Sequence, residues 1–276
     1  MISRRNFLKA AGIALFTTQI PGFLSEPDAP TLQFDPLHGR VLEGANGLWS
    51  DSVIRIDNIL PDGYQTPQGF IEKSRLQPMI KPATYALRTV RPPFTAEVIG
   101  ATTVLRSYCS AEATPVRIIG HGGLVKVVDL LNYDGVDWYG VVLRENETVF
   151  WTPSAPLAPA EITAPIANLT MQVDRAAFTL TALRDDQPLF SVPIAAEDVL
   201  QPGEYSRTRQ RLIWETRVYR RLAPFVTTFG EGLHIYGAYW HNRFGEQWSS
   251  EGIEVPPYVA KWIYGASQSG ARVMIT

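Results

Sequence analysis

Between positions 234 and 254 the chain gathers His234, Tyr236, His241, Glu246, Ser249, Ser250, Glu251 and Glu254. These residue types support three chemistries. A serine nucleophile needs a base within hydrogen-bond reach. His234 lies two residues before Tyr236, so on a strand both side chains leave the same face, and a Ser250–His234 pair would supply hydrolysis or acyl transfer. Against this, Ser249 could simply order the loop, Ser250 be a neutral replacement and His234 an ordinary strand histidine. A metal could draw on His234, His241, Glu246, Glu251 and Glu254. None of these shows a His-x-x-x-His or Glu-x-x-His spacing on a helix, so neither metal nor cofactor is expected. The third chemistry is recognition. Tyr236, Tyr239, Trp240, Trp248 and Trp262 have the composition of a shallow groove for sugar or peptide. Trp240 and Trp262 are read as core, and Tyr236 and Trp248 as groove residues. With Ser249, Glu251 and Glu254 they form the expected ligand-binding set. Carboxylates at 246, 251 and 254 are expected to make that groove acidic and to favour an amine-bearing ligand.

The order of residues in 235–265 resembles the active-site segment of the L,D-transpeptidases (YkuD-type), cysteine enzymes that cross-link bacterial peptidoglycan. Trp240, His241, Asn242, Phe244, Gly245, Ser249, Ile253, Pro256, Pro257, Ala260, Lys261 and Trp262 fall where that pattern puts them. The reactive residues do not. Tyr236 stands at the family's base histidine, before Gly237, and Ser250-Glu251-Gly252 stands where His-Gly-Cys belongs. Glu254 replaces a polar or basic residue two positions on. The resemblance implies that the nucleophile's place is Gly252, which has no side chain to form an acyl-enzyme. Tyrosine, with an ordinary pKa near 10, is a poor base at neutral pH. No catalytic residue is therefore expected among the degenerate positions Tyr236, Ser250 and Gly252. The function implied is non-catalytic binding of peptidoglycan stem peptide or of a wall-assembly partner. The alternatives are a structural envelope protein without a small ligand, and an enzyme rebuilt on Ser250 and His234. His241 belongs to the retained frame and is read as structural.

The elements that must position these residues read as mainly β. Among 276 residues there are 21 Pro, 21 Gly and 7 Trp, a composition of short strands and turns. Short alternating runs recur in 37–80 and 95–157 and resemble the bacterial SH3-like modules, expected as small β-barrels that bind wall polymer or brace the next domain. Pro153, Pro156, Pro159 and Pro165 mark a stiff connection. Residues 168–276 are the expected L,D-transpeptidase-like β-sandwich domain, with a short helix near 257–264. Its opening strand is read as Leu169 to Leu183, followed across an Asp185-Asp186 turn by Pro188 to Val192.

Ser3-Arg4-Arg5-Asn6-Phe7-Leu8-Lys9 and the short apolar run behind it resemble a twin-arginine export signal, expected over 1–24. The implied location is extracytoplasmic, at the cell envelope. A net charge of −2 gives no basic field for nucleic acid. The lone Cys109 excludes an internal disulfide in a monomer and is expected to be buried.

Overall fold

The computed structural model describes residues 38–80, 89–143, 148–197, 200–217, 220–248, 251–267 and 270–276. The expected export signal and both Ser249 and Ser250 lie outside the described residues. No helix among the described residues is long and apolar enough to cross a membrane.

Six short strands open the fold: β1 (His38–Val41), β2 (Val53–Arg55), β3 (Asn58–Leu60), β4 (Gly63–Thr66), β5 (Gly69–Glu72) and β6 (Leu76–Met79). They pair as two antiparallel three-stranded sheets, β2-β1-β6 and β3-β4-β5. Val41, Ile54, Ile56, Tyr64, Ile71 and Leu76 fill the space between them, and η1 (Lys73–Arg75) links the two sheets.

A seven-stranded sheet follows. It contains β7 (Phe94–Val98), β8 (Thr102–Arg106), β9 (Pro115–Gly120), β10 (Leu124–Tyr133), β11 (Val136–Val142), β12 (Phe150–Pro153) and β13 (Leu157–Pro159). Pairing runs in the order β13-β7-β10-β11-β12-β8-β9. Asp134 and Gly135 take positive φ in the β10–β11 turn, the backbone that a two-residue hairpin of this twist requires. Cys109, expected in the core, is only partly buried.

The remaining strands are β14 (Leu169–Asp174), β15 (Thr179–Arg184), β16 (Gln187–Pro193), β17 (Ala195–Ala196), β18 (Gly203–Glu215), β19 (Leu222–Phe229), β20 (Leu233–Gly237), β21 (Glu246–Gln247), β22 (Ile253–Val255) and β23 (Arg272–Ile275). The stretch from Leu169 to Leu183, expected as one strand, is a hairpin. Asp174 Oδ1 accepts the N–H groups of Ala176 and Ala177, both at 2.9 Å, and so ends β14; Phe178 then turns at φ 48°. The Asp185-Asp186 turn stands where expected, with both residues at positive φ. The thirteen-residue β18 joins two halves. Its first four residues pair with β23, and from Arg207 on it pairs with β19, with an irregularity between Arg207 and Arg209. The strand order is β16-β15-β14-β23-β18-β19-β20-β22-β17-β21.

Helix α1 (Pro257–Ala266) packs against β19 and β20. Pro257 at its first position loses no intrahelical bond, because that N–H would be unpaired in any case. Trp262, as expected, is core: it is 3% exposed and meets Phe190 edge-on at 4.7 Å. β19 is buried along its whole length, as a strand covered on both faces must be.

The three parts meet at Arg40. This residue, 8% exposed, bonds Asp51 at 2.7 Å and donates to Gln77 Oε1 and to the Tyr239 carbonyl, each at 3.1 Å. Gln77 in turn donates to the His121 carbonyl. A side chain at Gly120 would overlap the Arg40 guanidinium and crowd Tyr239, so the seven-stranded sheet can approach here only as glycine. Asn242 bonds Tyr64, Lys73 and Leu76 of the first part. Lys73 Nζ donates to the Phe244 carbonyl, and Lys261 pairs with Glu97 at 2.6 Å. Removing a buried charge from such a network leaves several acceptors unpaired, each costing about 1–3 kcal/mol. Arg40→Ala should therefore lower the thermal midpoint and split calorimetric unfolding into separate transitions. A single unshifted transition would contradict this role for Arg40.

Candidate functional site

The site is built on the parallel pair β20 and β22, which sets Tyr236 beside Glu254 and Ile235 beside Ile253. A parallel pair requires a crossover, and the chain between Gly237 and Ile253 provides it. Gly245 N donates to the Ile194 carbonyl and Trp248 N to the Ala196 carbonyl. β17 then closes the other side of β22, with Ala195 opposite Glu254.

Glu254 is entirely buried, between Tyr236 at 1% exposure and His241 at 6%. A buried carboxyl persists only where its oxygens are engaged. The Tyr236 hydroxyl donates to Oε1 at 3.1 Å, and His241 Nε2 lies 2.7 Å from Oε2. The backbone N–H of Arg243 points at His241 Nδ1 from 3.1 Å. That nitrogen is therefore the acceptor, and the ring proton sits on Nε2, aimed at Glu254. His241 is thus an interior group engaged at both ring nitrogens. Tyr236 and Glu254, expected to line an open groove, are instead interior groups engaged with each other, because the parallel register points both at the same covered face. Around them pack Val226, Trp214 and Trp240.

Position 252, where the sequence resemblance would put a nucleophile, is closed. Gly252 has φ 138°, and a Cβ built there would overlap the carbonyl oxygen of His234 and lie 3.3 Å from its Cβ. Backbone, unlike a flexible side-chain end, cannot move aside cheaply. The site thus lacks room for any side chain at this position. Three residues on from His234 along β20, a side chain at Gly237 would press on Pro224 and Pro257 at 3.0 Å, so the strand also lies hard against the helix start.

His234 is partly buried. Its Nδ1 lies 3.0 Å from Thr228 Oγ1, and its ring lies 4.7 Å from that of Trp214. Tyr236 meets the same indole at 5.6 Å, so the shared face expected from period-two spacing is present. Partial burial, and after it the charge of Arg211, hold His234 below the usual imidazole range; Arg217 adds to this and Glu251 opposes it. The partner proposed for His234, Ser250, lies outside the described residues.

Trp248 is 36% exposed and carries the Arg243 guanidinium 4.9 Å above its ring. The acidic groove expected from three carboxylates is corrected. Glu254 is sealed inside, and exposed Glu246 lies 3.7 Å from Arg243, next to Lys73. Only Glu251 remains at the mouth, in a partly buried position beside His234. What residue-by-residue reading missed is basic. Arg207, Arg209 and Arg211 recur at alternate positions of β18; the irregularity after Arg207 breaks the alternation, and Arg209 and Arg211, paired with Thr228 and Val226, share one charged strand face. Among the described residues no group of His, Cys, Asp and Glu is placed to hold a metal.

No family model matches the sequence, and no curated protein matches it. Among solved structures the chain is similar to an L,D-transpeptidase from Mycobacterium smegmatis at 14% identity and a TM-score of 0.37, covering 55% of this chain and 99% of that one. It is similar to an L,D-transpeptidase from Mycobacterium tuberculosis H37Rv at 13% identity and a TM-score of 0.37, covering 70% and 97%. It is also similar to an L,D-transpeptidase from Stackebrandtia nassauensis at 17% identity and a TM-score of 0.36, covering 42% of this chain and 58% of the other. The chain therefore spans little more than half the length of this last protein.

Gly252→Ala should cost about 1–3 kcal/mol from backbone strain alone. Gly252→Cys should do the same without any gain of thiol-dependent turnover; measured midpoints equal to wild type would contradict the closed position. A second expectation concerns pH. Burial also holds His121 below the usual imidazole value, as it does His234. As pH falls below about 6.5 the unfolded chain takes up protons before the folded one. These two histidines thus contribute loss of stability on acidification and nothing above that pH. Replacing both by Asn should flatten the midpoint-against-pH slope between about pH 7 and 5.

Proposed function

We propose that this chain is an exported cell-envelope protein with an L,D-transpeptidase-like domain that binds peptidoglycan stem peptides without turning them over. The observation that carries the loss of catalysis is Gly252, whose added Cβ would overlap the His234 carbonyl. With no thiol and no room for one, the covalent step of a cysteine acyltransferase has no atom to start from. Tyr236, at the place of the base, has its hydroxyl committed to Glu254. The ligand class rests on the sequence resemblance over 235–265, and export on the twin-arginine pattern at Arg4-Arg5.

A second reading, that of a brace among envelope components, is favoured by one observation. The Trp-His-Asn run is spent on cohesion: His241 secures Glu254, and Asn242 fastens the first part of the chain. In either reading the two N-terminal parts are SH3-like modules that hold the crossover in place. The two readings part on ligand binding. The purified chain should bind intact peptidoglycan saturably, and Trp248→Ala should weaken that binding severalfold, within the range usual for an exposed aromatic contact. Absence of saturable binding would leave only the brace.

A further inference from the structure

Three adjacent strands place Arg209, Thr228 and His234 in one row: Arg209 faces Thr228 across β18 and β19, and Thr228 faces His234 across β19 and β20. Paired residues share a sheet face. Two residues further along β18, Arg211 faces Val226, which packs with Tyr236. Beyond the strand end, Arg217 is near enough for its charge to act on His234. Arg209, Arg211 and Arg217 are exposed and form no ion pair among the described residues. Their neighbours differ, since Arg117 and Arg220 both reach Glu215, at 3.6 and 3.4 Å. Trp214 supplies a flat apolar wall against His234 and Tyr236.

Among the described residues, the charges that act on His234 are those of Arg211 and Arg217 against that of Glu251, and Arg209 shares its row, so the surface beside position 252 is cationic. A guanidinium at the end of a strand-borne side chain presents paired N–H donors that match a carboxylate's two oxygens. The Thr228–His234 pair and the Trp214 face would flank the group so held. We propose that this strip receives the free carboxylate of a peptide ligand, with Arg211 as its main contact and Arg209 and Arg217 adding attraction. The inference rests on the proposed peptide-binding function and reverses the charge preference that the carboxylates at 246, 251 and 254 implied.

The test is a fluorescence titration of the full chain with a tetrapeptide stem released from peptidoglycan and with the same peptide capped as its C-terminal amide. The free acid should bind roughly tenfold more tightly at low salt, with the advantage shrinking as ionic strength rises. Arg211→Gln should remove most of that advantage, and Arg209→Gln part of it. Arg272→Gln, which alters an exposed arginine paired with Glu204, should leave it intact. Because Arg211 is exposed, an unchanged thermal midpoint is expected and checks that the variant is folded. Equal binding of acid and amide, or an acid preference that survives Arg211→Gln, would overturn the strip while leaving the peptide-binding function standing. Failure of the wild-type chain to bind either peptide would overturn both.

Discussion

The C-terminal half depends on a carboxyl group kept entirely from water. Glu254 sits on a three-residue strand between two others, where an unpaired acid would be prohibitive. Its two oxygens therefore dictate the surroundings: Tyr236 must reach one and His241 the other. His241 can do so only while its second nitrogen is held by the Arg243 N–H, which fixes the crossover's path. Tyr236, His241 and Glu254 thus form an interior polar cluster. A cluster of this kind is stable when complete and costly when broken. Catalysis needs the reverse, a group left poised for a substrate.

The crossover is held from outside as well. Asn242, next to His241, points away from the sheet and fastens to the first part of the chain, while Arg40 and Lys73 reach back to the carbonyls of Tyr239 and Phe244. Consecutive side chains thus serve opposite sides, one the carboxyl group and the other the junction. The closed position at Gly252 then follows from β22 lying tight against β20, since only a residue without Cβ fits beside the His234 carbonyl. Rigidity around the closed centre contrasts with the exposed arginines of β18, which remain available to solvent and to a ligand.

Much of the frame was legible from local rules. Two aspartates announced a hairpin turn and spacing of two put His234 and Tyr236 on one face, while the short helix after Pro256 and Pro257 was implied by the resemblance. What depends on long-range register was not legible. The meeting of Tyr236 with Glu254 needs a parallel pairing across a crossover, and no local period reports such a pairing. Reading Glu254 as a groove acid followed from treating a charged residue as exposed, a good rule that fails where two donors converge on it. The hairpin at Asp174 was hidden because regular alternation on both sides, Leu169 to Asp174 and Phe178 to Ala182, draws the eye past the short break at Arg175-Ala176-Ala177. The alternate arginines of β18 were visible, but their meaning required knowing that β19 and β20 lie beside them.

The central claim is that a ligand can be held at this site and leave chemically unaltered. The most direct measurement is mass analysis of tetrapeptide stems recovered after long incubation with the purified chain, alone and with a second stem as acceptor. The account predicts stems of unchanged mass and a protein carrying no acyl adduct. Shortened, exchanged or cross-linked stems, lost on Ser250→Ala, would contradict it and show that the centre has been rebuilt around another nucleophile.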